Sequence, residues 1–205
     1  MTSQHERIQR LTAETVEIAR YNPEWPAQFE REKAHLLGCL PGELIVRIEH
    51  VGSTAVPGLD AKPIIDVLVE VTDLEAVEAS VVPVLEAQGY EYLWRPSLDD
   101  GGEPFYAWFI RREPLTGVRT HHIHMVEGSF PQWEWLQFRD YLIGHPETAA
   151  RYAALKRRLA EEFPNDRERY THGKTEFIGG VMACARADAA TDEPPDGLNE
   201  GRVRR

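Results

Sequence analysis

Residues 49–70 read EHVGSTAVPGLDAKPIIDVLVE, and the rest of the chain is organised around them. The stretch opens at the end of a strand, IVRIEHV (45–51), whose β-branched residues alternate with Arg47 and Glu49. Gly52-Ser53 closes that strand with a residue lacking Cβ and then a hydroxyl, so backbone and side chain can approach a ligand closely. A loop follows in which Pro57-Gly58 marks a turn and Pro63 holds Lys62 extended. The second strand, IIDVLVEV (64–71), is apolar on both faces except at Asp66 and Glu70. An unpaired carboxylate inside a buried strand costs several kcal/mol or shifts its pKa. Asp66 therefore requires a cation, a metal ion or hydrogen-bond donors. Lys62, four positions earlier, can reach an anion held by Gly52-Ser53 or pair with Asp60 or Asp66.

Downstream, FYAWFIRR (105–112) is a strand with Phe105, Ala107, Phe109 and Arg111 on one face and Tyr106, Trp108 and Ile110 on the other. RTHHIHMV (119–126) follows across a Leu115-Thr116-Gly117 turn. Its alternation puts Thr120, His122, His124 and Val126 on one face and His121, Ile123 and Met125 on the other. His122 and His124 can together ligate one ion or bracket one phosphate. A zinc site needs a third or fourth ligand, and no Cys or distant His is spaced to supply it. A further strand spans 90–94, a short edge strand 16–19, and Asp99-Asp100-Gly101-Gly102 is a surface turn.

Helical spacing covers residues 23–40, with Trp25, Phe29, Leu36, Leu37 and Leu40 on an apolar stripe. It recurs over 73–90, where Asp73 or Thr72 is the cap, Pro83 a kink and Gly89 the stop. Ser129-Phe130-Pro131-Gln132 has the form of a capping box ahead of a helix that runs to Gly144-His145-Pro146. Two more helices span 147–163 and 166–186. Tyr152/Lys156 and Tyr170/Lys174 are each spaced i, i+4 and share a helix face. Arg139, Lys156 and Lys174 are the cations that can turn toward a phosphate chain begun at the Gly-Ser turn.

The totals narrow the function. A length of 205 residues suits one domain with a sizeable core. A net charge of −11 argues against general nucleic-acid binding, which relies on lysines and arginines neutralising phosphates. A nucleotide ligand in so acidic a chain needs a local cationic cluster. Cys39 and Cys184 are too few for a disulfide framework, and no apolar run approaches the ~20 residues of a membrane span. A cytoplasmic protein without membrane partners is the expectation. Residues 1–14 and 188–205 read as disordered tails around a domain at 15–187.

The strings VEIARYNPEWPAQFEREK, IEHVGSTAVPGLDAKPIIDVLV, THHIHMVE, FRDYL and HPE resemble the GrpB family over roughly residues 16–186. That family is assigned to the nucleotidyltransferase superfamily. The resemblance implies an α/β (α+β) fold: a mixed, mostly antiparallel sheet of about five strands with flanking helices and a helical C-terminal portion. It further implies that Gly52 and Ser53 hold nucleotide phosphates and that Asp66 binds Mg²⁺. Nucleotidyltransferases place a second metal-binding carboxylate two residues on, where this chain has Leu68. Glu49, Glu70 or the histidines would have to complete the site. Three readings follow: transfer of a nucleotidyl or phosphoryl group to a small molecule, a non-catalytic module that senses a nucleotide or phosphorylated coenzyme, and a histidine-dependent metal hydrolase.

Overall fold

The computed structural model describes residues 15–96 and 104–192. The acidic turn at 99–102, the expected tail at 1–14 and residues 193–205 of the expected tail at 188–205 lie outside the described residues, while residues 188–192 are the last of a helix, Thr175–Asp192, rather than tail. Five strands form one mixed sheet of order β1-β2-β5-β4-β3: β1 (Ile45–Val51), β2 (Ile65–Val71), β3 (Glu91–Pro96), β4 (Phe105–Arg112) and β5 (Arg119–Val126). Only β2 and β5 pair in parallel, and the other three pairings are antiparallel. This is the α+β sheet that the periodicities imply.

The strand alternation sorts residues onto two faces. Ile65, Val67, Val69, Ala107, Phe109, Ile123 and Met125 form one buried face. Against it pack helix α1 (Trp25–Cys39) and a helical segment, α2, that runs Leu74–Ala76, widens to a π turn at Val77–Val81 and resumes at Val82–Ala87. The Asp73 side chain accepts from Glu75 N and caps α2. Pro83, which has no N–H to give, is the second residue after the widened turn. Within α1, Trp25, Phe29 and Leu36 are buried, but Leu37 is 51% exposed. The inward positions are taken by Leu36 and Phe29, and the next residue, about 100° round the helix, faces outward.

Two carboxylates away from Asp66 are each met by a neighbouring arginine, Glu32 against this layer and Glu70 on the opposite sheet face. Glu32 is buried and accepts from Tyr90 Oη at 2.5 Å and from the Arg111 guanidinium. Glu70 accepts from Arg47 at 2.6 Å, so it is committed away from Asp66.

The second face carries Val51, Leu68, Tyr106, Trp108, Ile110 and Val126, with Phe130, Trp133 and Leu136 packed on part of it. Four C-terminal helices follow: α3 (Glu134–Gly144), α4 (Pro146–Glu162), α5 (Arg167–His172) and α6 (Thr175–Asp192). They dock on the β1–β2 loop, whose Val56 and Leu59 pack with Leu142, Tyr152, Ala153 and Val181. Polar clamps reinforce this docking: Lys156 Nζ donates to the Asp60 carbonyl at 2.6 Å, and Arg157 to the Asp60 carboxylate at 2.7 Å.

Three local expectations change. The 16–19 strand reduces to an isolated bridge, Ala19 to Ala61, because the backbone at Val16 turns to pair with Pro164 instead. The 129–132 capping box does not form: residues Pro131–Trp133 make a 3₁₀ turn, and α3 starts without a side-chain cap. The single helix at 166–186 is two, separated by Gly173 and Lys174, with Gly173 packed so closely that a Cβ there would sit 2.6 Å from Leu159.

Candidate functional site

Between the second sheet face and the C-terminal helices lies a cavity of about 1200 Å³. Its floor is built by register. In the parallel β2–β5 pair, Asp66 lies opposite His122 and Leu68 opposite His124, so the carboxylate and both imidazoles share one face. Asp66 Oδ1 is 3.0 Å from His122 Nδ1 and 3.8 Å from His124 Nε2. Tyr106 Oη is 3.1 Å from His124 Nδ1. The Trp108 ring stands edge-on to His122 and stacked on His124, which fixes both imidazoles.

The electrostatics follow from burial and these contacts. Burial acts to raise the Asp66 carboxyl, but the two histidines outweigh it and hold the group well below the usual carboxylate range. Burial lowers His122 to about 4 against the opposing pull of Asp66, and lowers His124 as well. Both imidazoles are therefore neutral near pH 7, with the His122 Nδ1–H donated to Asp66. His122 Nε2 is buried and has no partner among the described residues.

The Gly52-Ser53 turn forms the adjacent wall. Gly52 has φ +71° and ψ −172°, a conformation open essentially to glycine. A Cβ at this position would lie 2.5 Å from Asp66 Oδ2, so the turn can approach the carboxylate only because residue 52 has no side chain. Ser53 opens a 3₁₀ turn, and the buried Thr54 donates to the Ile64 carbonyl and ties the loop to the start of β2.

Cations line the remaining wall. Lys62, Lys156 and Lys174 all reach the cavity, as do Arg119 and Arg167, and the ammonium groups of Lys62 and Lys174 lie 5.3 and 4.7 Å from the centre of the Tyr170 ring. Burial, then the charges of Arg167 and Lys174, pulls Lys62 well below its ordinary value. Burial and the Lys174 charge bring Lys156 to about 7, and burial brings Lys174 to about 8 although Asp66 opposes it. Among the described residues, Lys62 forms no ion pair with Asp60 or Asp66, since Asp60 is taken by Arg157. Toward β3 and β4 the wall becomes aromatic, with Trp94, Phe105, Trp108 and Trp135, and Arg95 lies over the Trp108 ring at 4.7 Å.

The structure thus brings together Gly52, Ser53, Lys62, Asp66, His122, His124, Lys156 and Lys174. It does not bring Glu49 and Arg139 to the cavity. Arg139 Nη1 donates to the His50 carbonyl at 2.8 Å and lies 3.4 Å from Glu49, pinning α3 to β1. Glu49 shares the Asp66 face but is opposite Leu68, two pairs further along the strand, and its charge is met there by Arg139.

Sequence reasoning missed Arg119, Arg167 and the two tyrosines as cavity residues. Simple alternation assigns Arg119 to the His121 face. A bulge in the β4–β5 ladder pairs Arg111 with His121 but Arg112 with Arg119, and the extra residue returns Arg119 to the His122 face. No local sequence signal marks that bulge.

The metal implied by the fold resemblance can be tested against this donor set. Asp66, His122 and His124 each offer a ligand atom, all within 4.8 Å of one another. Leu68, fully buried, occupies the place of the second carboxylate. One carboxylate and two imidazoles do not match the oxygen-rich set that Mg²⁺ demands of a two-carboxylate site.

Comparison with known proteins agrees with the architecture. The model of the family described as GrpB protein matches residues 15–183. The glutamate-rich protein GrpB of Alkalihalophilus pseudofirmus is 39% identical over 166 residues, 80% of this chain and 92% of that protein. A dephospho-CoA kinase of Mycolicibacterium paratuberculosis is 31% identical over 174 residues, covering 76% of this chain and 42% of that larger protein. The crystal structure of conserved protein GrpB from Enterococcus faecalis superposes with a TM-score of 0.72 at 34% identity, covering 85% of this chain and 99% of that one. With the family match running through every strand of the sheet and every residue that the cavity floor is built from, the chain belongs to the GrpB family.

Proposed function

We propose that the cavity binds a phosphorylated small molecule, a nucleotide or phosphorylated coenzyme, with a divalent cation at Asp66. The observation that carries this reading is the reversal of charge inside an acidic protein. In a chain of 34 acidic and 23 basic residues, six basic side chains (Lys62, Arg95, Arg119, Lys156, Arg167 and Lys174) line the cavity against three carboxylates, Asp66, Glu134 and Glu168. Buried lysines depressed by one another's charge are relieved by an anion. The aromatic wall supplies rings on which a base can stack, and the volume exceeds the roughly 300–1000 Å³ of ordinary ligand pockets.

The order of the strands, the Gly-Ser turn and Asp66 support a nucleotidyltransferase-like arrangement. Leu68 favours binding over transfer, since a single carboxylate leaves two-metal chemistry without its ligands. The likeness to a protein named dephospho-CoA kinase makes a phosphorylated coenzyme a first candidate alongside the nucleotides.

A thermal-shift screen of nucleosides, their mono-, di- and triphosphates, and coenzyme A derivatives, with and without divalent cation, tests this. Stabilisation is expected from phosphorylated ligands and not from the parent nucleosides. A screen in which no phosphorylated ligand shifts the transition would contradict it.

The lysines add a pH signature. Lys156 and Lys174 titrate near 7 and 8 in the folded protein, against about 10.4 in the unfolded chain. Between those values the native state binds fewer protons than the unfolded one, so their contribution makes the ligand-free protein more stable as pH rises from about 7 toward 10. An anion restores their charge. Binding at pH 8 should therefore take up protons, and affinity should fall as pH rises past about 8. Calorimetry in two buffers of different ionisation enthalpy reads the uptake directly, and identical heats in both would rule it out.

A further inference from the structure

We propose that Asp66, His122 and His124 form a mononuclear centre for an imidazole-preferring divalent transition ion of the zinc–cobalt class, with open coordination positions facing the cavity. The three donors come from neighbouring strands locked in parallel register, so the backbone ladder fixes their spacing. Donors about 2.1 Å from a tetrahedral ion stand roughly 3.4 Å apart. The separations from Asp66 Oδ1, 3.0 Å to His122 Nδ1 and 3.8 Å to His124 Nε2, bracket that value.

The surroundings have the form of a second layer around metal ligands. The far nitrogen of His124 is engaged by Tyr106 Oη at 3.1 Å, which fixes the ring and leaves Nε2 directed at Asp66. Trp135 stands edge-on to His124 at 4.9 Å and Trp108 edge-on to His122 at 5.0 Å, so neither imidazole can turn away without repacking an indole.

Two features select the class of ion. Leu68, directly opposite His124 in the register, replaces an oxygen donor with an isobutyl group, so a hard cation finds one carboxylate where it wants several. Imidazole pairs suit the borderline ions instead. With three protein donors among the described residues, the centre keeps positions for water or a ligand oxygen.

An independent observation points to an occupant. His122 is 7% exposed, lines the cavity and has a buried Nε2 without a partner among the described residues. With Nδ1 on the ion, that nitrogen carries its proton toward the cavity, where a ligand oxygen can accept it. The centre thereby joins the cationic wall to the Gly52-Ser53 turn. A dication among lysines and arginines is itself favoured by an anionic ligand, so metal and phosphate binding should reinforce one another.

The test uses the full chain stripped with chelator and contains no phosphate, so its failure leaves the phosphate-binding reading standing. Calorimetric titration with Co²⁺ or Zn²⁺ should give one ion per chain, bound at least about 100-fold more tightly than Mg²⁺. X-ray absorption of the zinc-loaded wild type should show scattering from two imidazoles. Tyr106→Phe, which removes the hydroxyl that engages His124 Nδ1, should weaken metal about tenfold with unchanged stoichiometry. His124→Ala should weaken it at least 100-fold. Should His124→Ala fail to fold, the wild-type absorption spectrum and Tyr106→Phe still decide. Co²⁺ binding no tighter than Mg²⁺, scattering without imidazole, or undiminished affinity in folded His124→Ala would each overturn the proposal.

Discussion

Asp66→Asn is expected to keep the fold and to abolish the cation-dependent part of ligand stabilisation. The amide is nearly isosteric, and its oxygen can still accept from His122 Nδ1, 3.0 Å away in the wild type. What disappears is the charge that both imidazoles hold in its ionised form. Wild-type protein at a ligand concentration about 100 times the dissociation constant gains roughly 2.7 kcal/mol, readily seen as a shift in thermal transition. Adding chelator should remove much of that gain from the wild type and nothing further from the variant. A variant with the wild type's full chelator-sensitive shift would show that Asp66 serves only as the partner of the two histidines. The variant also removes the charge that supports Lys174, so its Lys174 should titrate lower than about 8.

Gly52→Ala should cost about 3 kcal/mol or more in stability and also empty the site. Two effects add. The backbone at φ +71°, ψ −172° lies in a region essentially restricted to glycine, and a side chain there costs of order 1–3 kcal/mol. The new methyl would also stand 2.5 Å from Asp66 Oδ2, so either the carboxylate or the turn must move. Gly58→Ala is the uncrowded comparison, because Gly58 also has a positive φ, +77°, but no atom within 4 Å of the point where a Cβ would stand. Urea denaturation of the two variants side by side should show the larger loss at position 52, and only Gly52→Ala should lose ligand binding. Equal losses at 52 and 58 would mean that the turn does not depend on its closeness to Asp66.

Much of the fold is legible in the sequence because its signals are local. Alternation in residues 105–111 and 121–126, where the ladder is regular, sorts side chains onto the observed faces. Asp66 stands out for a physical reason too, as a carboxylate in an otherwise apolar strand. Its compensation by His122 and His124 depends on the parallel pairing of β2 with β5, residues 56 positions apart in the chain. Spacing alone therefore leaves zinc short of a third donor that the register supplies.

The errors have equally specific origins. Arg139 carries the right charge on a helix near the site, but it is claimed by the His50 carbonyl and Glu49, contacts invisible without the docking of α3. Arg119 is hidden by a single extra residue in a ladder. The break at Gly173-Lys174 falls at a glycine C-cap packed tightly against Leu159, and Lys174, outside both helices, lines the cavity.

The most direct measurement of the cavity as an anion site is calorimetric titration of the best phosphorylated ligand from the screen into wild type, Lys62→Met and Lys174→Met. Both substitutions retain most of the apolar stem beside Tyr170 and remove one charge each, so packing is largely kept while the field changes. One site per chain is predicted, with affinity falling about tenfold for each lysine removed, in line with the roughly 1.5–3 kcal/mol of a hydrogen bond to a charged group. Affinities in both variants equal to the wild type's would contradict a phosphate site on this wall.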